Sequence, residues 1–369
     1  MGIISATAYD NSDESMLHTD RLQIPRLSRR LPSSVVSQNC GIAIKPYTNW
    51  PKSGLAKVCF KPLQHLQRPL VEPAITNLSW IWHLCCFLHA CGKQTPNWSG
   101  FMQHVTCGPH SAIAKVQMHP LIDLNPSNES CVYSTLIFVL SQARQLGLPV
   151  TCIMFDQPLW LKAVDICMSC GLDIVCRLGG FHLLMSFIGC IGHIMSGSGL
   201  QDIFLLNYGP NTVQNMLSGK TYDRAVRGHL LLERALMHLL LEMLLPEDAD
   251  TVTSETDQFS SSDVEHLLKV CEAISQSTVD PSCSDVLNDD MLCKVVNIQE
   301  ELKRQLSAKS RTAALWIQYL SFIQLLKNFI IAERTGNWHL HLSTTTSMLP
   351  LLLQQDIRIM LSQHDFMCS

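Results

Sequence analysis

Several groups of residues have types and spacings that could do chemistry. Asp156 ends the continuous apolar run at residues 150–155 and is followed by Gln157-Pro158, while Asp10 ends the short run at residues 3–9. Each carboxylate therefore stands at the end of an expected strand. His182 follows Gly179-Gly180 at a helix start, where it could face the Asp156 strand end and touch a metal or a phosphate; a structural histidine fits the same position. Cys167, Cys170, Cys176 and His182 form a C-x2-C-x5-C-x5-H string with the chemistry of four zinc ligands. The spacing is not a standard zinc spacing, and cysteines dispersed through a core explain it more simply. Residues 21–68 hold nine Lys/Arg and no Asp/Glu: Arg21, Arg26, Arg29, Arg30, Lys45, Lys52, Lys57, Lys61 and Arg68. With Tyr47 and Trp50 among them, they could neutralise phosphates and stack on bases. A solvated irregular surface accounts for the same residues.

The elements that must position these groups are clearest at the centre of the chain. Asn128-Glu129-Ser130 opens a helix that Gly147 and Pro149 stop. A buried strand over residues 150–155 comes next, and Pro158 is placed to start a second helix, which Gly171 ends. Residues 173–178 read as a second strand, after which Gly179-Gly180 turns the chain into a further helix near His182. This βαβ alternation predicts a parallel strand pair. The expected fold class is therefore α/β, with a mostly helical C-terminal lobe.

The expected organisation is an α/β core over residues 1–200 with an irregular basic insertion at 20–73, then a helical extension at 201–245. An acidic, Ser-rich linker at 246–263, a helical lobe at 264–349 and a diverged tail at 350–369 complete it. Of the 369 residues, 47% are apolar and only 16% charged, with a mean hydropathy of +0.14, which makes the chain greasier than an ordinary soluble domain. The formal charge of −4 names no partner. Acidic residues rather than a basic and then apolar leader open the chain, so an intracellular location, nuclear or cytoplasmic, is expected, with the 16 cysteines reduced. No membrane span is expected: residues 181–195 are too few, and residues 312–331 carry Gln318, Ser321, Gln324, Lys327 and Asn328 at helical spacing.

Phe155-Asp156-Gln157-Pro158-Leu159, Arg177-Leu178-Gly179-Gly180-Phe181-His182 and Gly197-Ser198-Gly199-Leu200 recur as strings in a known family. So do Ser310-Arg311-Thr312-Ala313 and Glu333-Arg334-Thr335-Gly336-Asn337-Trp338. On these residues the chain resembles a family of uncharacterised proteins multiplied in animal genomes, over roughly residues 1–349. The resemblance implies a transposon-derived protein with an RNase H-like core. In such a core three carboxylates converge to hold two divalent metals for phosphoryl transfer. Asp10, in Tyr9-Asp10-Asn11, and Asp156 match two of them, with Asp123 a weaker competitor. Family members continue past Leu349 into a helix that bears a Glu, whereas this chain ends differently, so a truncated protein without its third acid is expected. The expected function is therefore that of a catalytically inactive protein with residual DNA or RNA binding through Arg26, Arg29, Arg30, Lys45, Lys52 and Lys57. No cofactor is expected, Mg²⁺ entering only with an intact nuclease core. The alternatives are a protein-interaction module that docks partners on the apolar helices at residues 225–245 and 312–331, and an active Mg²⁺-dependent nuclease.

Overall fold

The structure, a computed structural model, describes residues 42–48, 73–90, 96–105, 122, 124–245, 259–276 and 289–367. In chain order they form α1 (Pro73–Phe87), α2 (Trp98–Val105), α3 (Glu129–Gln145), β1 (Cys152–Phe155), α4 (Gln157–Cys170), β2 (Val175–Leu178) and α5 (Gly180–Ile194). There follow α6 (Leu200–Leu205), α7 (Pro210–Leu217), α8 (Tyr222–Glu242), α9 (Ser261–Gln276), α10 (Asp290–Lys309), α11 (Arg311–Thr335) and α12 (Trp338–Met367). Two compact units divide the chain: Met1–Gln67 with Ser111–Leu183, and Arg68–His110 with Leu184–Ser369.

In the first unit, β1 and β2 pair in parallel, with Ile153 opposite Cys176 and Phe155 opposite Leu178. Strand alternation turns Ile153 and Phe155 into a core shared with Val132, Leu136 and Val139 of α3 and Ala163, Ile166 and Cys167 of α4. Each of the large buried side chains stabilises the unit by roughly 1.5–3 kcal/mol. The helix ends arise from residue chemistry. The Asn128 side chain accepts from the Ser130 N–H at the start of α3, and Gly171, at φ 59°, closes α4 in the left-handed conformation that glycine adopts without strain. Residues 42–48 run without regular structure, and their backbone N–H groups at Lys45 and Tyr47 donate to Ser134 Oγ (2.8 Å) and Ser130 Oγ (3.0 Å).

The expected α/β fold with an RNase H-like parallel or mixed sheet is overturned. Among the described residues there are twelve helices and one two-stranded parallel sheet, so the protein is mostly helical. Only the two short apolar runs before Asp156 and before Gly179 form strands there. Elsewhere the apolar segments are either spaced every three to four positions, as in α8, or continuous but longer than a strand, as in α5 and α11, and they fold into helices. One βαβ unit gives the parallel pair but not the set of neighbouring strand ends on which an RNase H-like site would be built.

The second unit is helical. Leu78, Ile81 and Leu84 of α1, Phe187, Ile188 and Ile191 of α5, and Tyr319, Ile323, Leu326 and Phe329 of α11 are among its buried residues. α5 and the turn after α7 approach at backbone distance. A side chain at Gly192 would overlap the Leu217 carbonyl, and one at Gly219 the Met185 carbonyl. α11, capped by Ser310 and by Gly336 at φ 68°, is the only described helix long and apolar enough to cross a membrane. It is the unit's core helix: consecutive residues from Leu326 to Ala332 are buried, and the charge of Lys327 is paired inside the unit. The polar stripe read along this segment is thus split, with Gln318 and Ser321 exposed and Lys327 and Asn328 enclosed.

Candidate functional site

Among the described residues, the most concentrated polar chemistry lies on the inner face of α8. Ala225, Gly228, His229, Leu232, Glu233, Met237, Leu240 and Leu241 are buried, a run of three- and four-residue steps that keeps the helical period. At Gly228 the helix packs closely on its neighbours: a Cβ there would come within 2.7 Å of Met216 Cε, the end of a flexible side chain that would have to move. Two of the inward residues are titratable. Glu233 Oε1 accepts from Lys327 Nζ of α11 at 2.6 Å and lies 3.5 Å from His83 Nε2 of α1, and the ammonium and imidazole are themselves 3.5 Å apart. The Trp98 ring lies 5.9 Å from the ammonium and donates its own N–H to Ser79 Oγ at 3.0 Å. One turn before Glu233, His229 Nδ1 shares a 2.9 Å hydrogen bond with Tyr319 Oη, and Phe204 packs edge-on against the imidazole. One turn after it, Gln299 of α10 donates to Met237 Sδ at 3.6 Å.

Burial sets the protonation of this cluster. Desolvation would push the Glu233 carboxyl up, but the Lys327 ammonium and the His83 imidazole together outweigh it and hold the acid below the usual carboxylate range. Burial lowers Lys327, which the Glu233 charge partly offsets, so the two partners are unequally satisfied. We read the pair as ionised because the Lys327 ammonium holds Glu233 below the usual carboxylate range, and a 2.6 Å contact is that of a charge-assisted hydrogen bond. Desolvation lowers His83, and it lowers His229 to about 4, so both rings are neutral near pH 7. Glu233 Oε2, His83 Nδ1, His229 Nε2 and Gln299 Oε1 are buried without a hydrogen-bond partner. With His83, Glu233 and Lys327 each at most 3% exposed, these groups stand out of reach of solutes. Their effect is to fix which face of α8 turns inward.

That choice determines what α8 presents outward. Arg227, Leu231, Ala235, Leu239 and Met243 recur every fourth residue and are exposed or half-exposed, the three large apolar members by 55%, 56% and 60%. Asp223 and Arg224 precede Arg227 at one end of this ridge and leave it with a net positive charge, and Glu242, 3.1 Å from His238, marks the other end. Arg234, on the flank, sits 5.9 Å from the Trp82 ring.

The residues singled out by sequence are placed otherwise. Asp156 Oδ1 accepts from the Leu159 N–H at 3.1 Å and is the N-cap of α4, with Pro158 in the first turn. His182 lies in the first turn of α5 with its ring 5.7 Å from that of Phe181. Lys45 is exposed. Asp10, Asp123, Arg26, Arg29, Arg30, Lys52 and Lys57 lie outside the described residues. No group of three or more His, Cys, Asp or Glu among the described residues could hold a metal ion, and of the C-x2-C-x5-C-x5-H string only Cys167 and Cys176 meet, at 3.5 Å. Nothing in the sequence sets Glu233 apart, since Arg234 follows it directly and is exposed, and Lys327 is a lone charge in an apolar stretch that names no partner.

Fold and site together define a mostly helical protein whose densest polar centre is structural and whose α8 exposes an apolar ridge. The chain belongs to the family described as a domain of unknown function, DUF8702, which it matches over residues 97–356. No curated protein and no solved structure matches it.

Proposed function

We propose that the chain is a protein-interaction module that pairs with a second copy of itself through α8. The observation that carries this is the ridge Leu231–Ala235–Leu239, facing outward at every fourth residue between a basic end at Arg224 and Arg227 and an acidic end at Glu242. Isolated exposed leucines are ordinary; a continuous ridge of them on one helix face is a docking feature. The charges select the partner and its direction. Two copies packed parallel would set Arg227 against Arg227, whereas an antiparallel pair crossing at Ala235 sets Leu231 against Leu239 and Arg227 against the Glu242 end. The arrangement is self-complementary, as a two-fold interface must be. Ridges of this spacing interdigitate at a crossing angle of about −50°, and a small residue at the crossing point lets the backbones approach. The contact is narrow, so the pair is weak and concentration-dependent.

Sedimentation velocity over a dilution series tests it. The wild-type chain should show a monomer–dimer equilibrium that Leu231→Lys removes while leaving the helical circular dichroism unchanged. A wild-type chain that stays monomeric at every concentration overturns the proposal, as does a dimer indifferent to Leu231→Lys.

A further inference from the structure

Cys167 and Cys176 are the two members of the cysteine string that the fold brings together. Cys167 is on the last turn of α4 and buried, Cys176 is on β2 and half-buried, and their sulfurs lie 3.5 Å apart. Other pairings are disfavoured by the geometry. Cys152 is exposed and aligned with the exposed Val175, whereas Cys176 is aligned with the buried Ile153, so alternation along the strands puts Cys152 on the opposite face of the sheet. Cys170 shares a helix with Cys167, and no hydrogen bond joins it to either sulfur.

We propose that Cys167 and Cys176 form an oxidation site, a dithiol that a hydroperoxide converts into an intramolecular disulfide. The two thiols are unequal. The contact between the two sulfurs, in which either can donate, lowers Cys176 despite burial and, together with burial, raises Cys167. Cys176, half-buried where Cys167 is buried, is the thiol a peroxide reaches and so the attacking thiolate, with Cys167 the resolving thiol. In the first step Cys176 sulfur attacks the peroxide, the O–O bond breaks, and the leaving oxygen takes a proton to depart as water or an alcohol, which leaves a sulfenic acid. In the second, Cys167 sulfur attacks that sulfenic sulfur. The S–OH bond breaks, the S–S bond forms, and the hydroxide leaves as water with the Cys167 proton. The two thiols lose two electrons in all, and the peroxide gains them. The product ties the C-terminal end of α4 to β2.

The test is peptide mapping of the reduced full-length chain after exposure to hydrogen peroxide, with remaining thiols alkylated. The expected result is a Cys167–Cys176 linked peptide as the main intramolecular product, retained in Cys170→Ser and lost in Cys176→Ser. In Cys167→Ser, Cys176 should instead accumulate as a sulfenic acid that a dimedone probe traps. The assignment is overturned if Cys176 is recovered as a free thiol under conditions that oxidise the exposed Cys152, or if Cys167 links mainly to Cys170. Both outcomes are read on the wild-type chain, so a variant that fails to fold does not shelter the proposal.

Discussion

Glu233→Gln keeps the shape of the side chain and removes only its charge. Lys327, 1% exposed and 2.6 Å from Oε1, is then an ammonium with no anion beside it. Its way out is to fold as the neutral amine. Measured from an ordinary lysine pKa of 10.5, giving up that proton at pH 7 costs about 1.4 kcal/mol per pH unit over the gap, roughly 4.8 kcal/mol. Direct measurements on broken buried pairs give about 3–5 kcal/mol, in the same range. The pH dependence has a definite sign. In the variant, folded Lys327 binds fewer protons than unfolded Lys327, so stability recovers as pH rises towards 10.5, by about 1.4 kcal/mol between pH 7 and 8. Urea unfolding monitored by helical circular dichroism at pH 7, 8 and 9 reads both quantities. The companion variant Glu233→Leu/Lys327→Met removes both charges and should regain most of the loss. A penalty for Glu233→Gln below about 1 kcal/mol, or one that does not change with pH, would mean that Lys327 reaches solvent and that the pair does not fix α8.

Other groups in the structure give outcomes of their own. His229, at about 4 when folded against 6.5 when unfolded, binds fewer protons in the native state; stability should fall by about 3 kcal/mol as pH drops from 6.5 to 4, and urea titrations should show that slope reduced in His229→Gln. Asp156→Ala should lower stability by about 1 kcal/mol through loss of the α4 cap, while Asp156→Asn stays near wild type in thermal melts. Gly192→Ala forces a Cβ into the Leu217 carbonyl and should cost about 1–3 kcal/mol, read as a lowered Tm.

The central βαβ unit was legible because it is local. Asn128, Pro158 and Gly171 mark helix ends by backbone chemistry, and two apolar runs of strand length flank a helix of ordinary length. The step from that unit to an α/β protein failed because a parallel pair says nothing about further strands, and the apolar segments after residue 180 are longer than a strand and fold as helices. Asp156 marks the corner correctly, where its Oδ1 accepts from the Leu159 N–H at 3.1 Å; a capping acid and a catalytic acid look alike at a strand end. The polar centre was not legible at all. His83, Glu233 and Lys327 come from α1, α8 and α11, and no spacing rule joins residues so far apart in the chain. What one helix can show is an odd residue on an apolar run. Lys327 read as part of a solvent stripe because periodicity gives a face without saying which side of it is water.

Reversing the charges at the two ends of the α8 ridge tests the central claim most directly. Equilibrium sedimentation should show self-association weakened in Arg227→Glu and in Glu242→Arg, each of which sets like charges together across an antiparallel pair, and restored in the double variant, where opposite charges meet again. A double variant as weakly associating as either single one would contradict the antiparallel α8 pair.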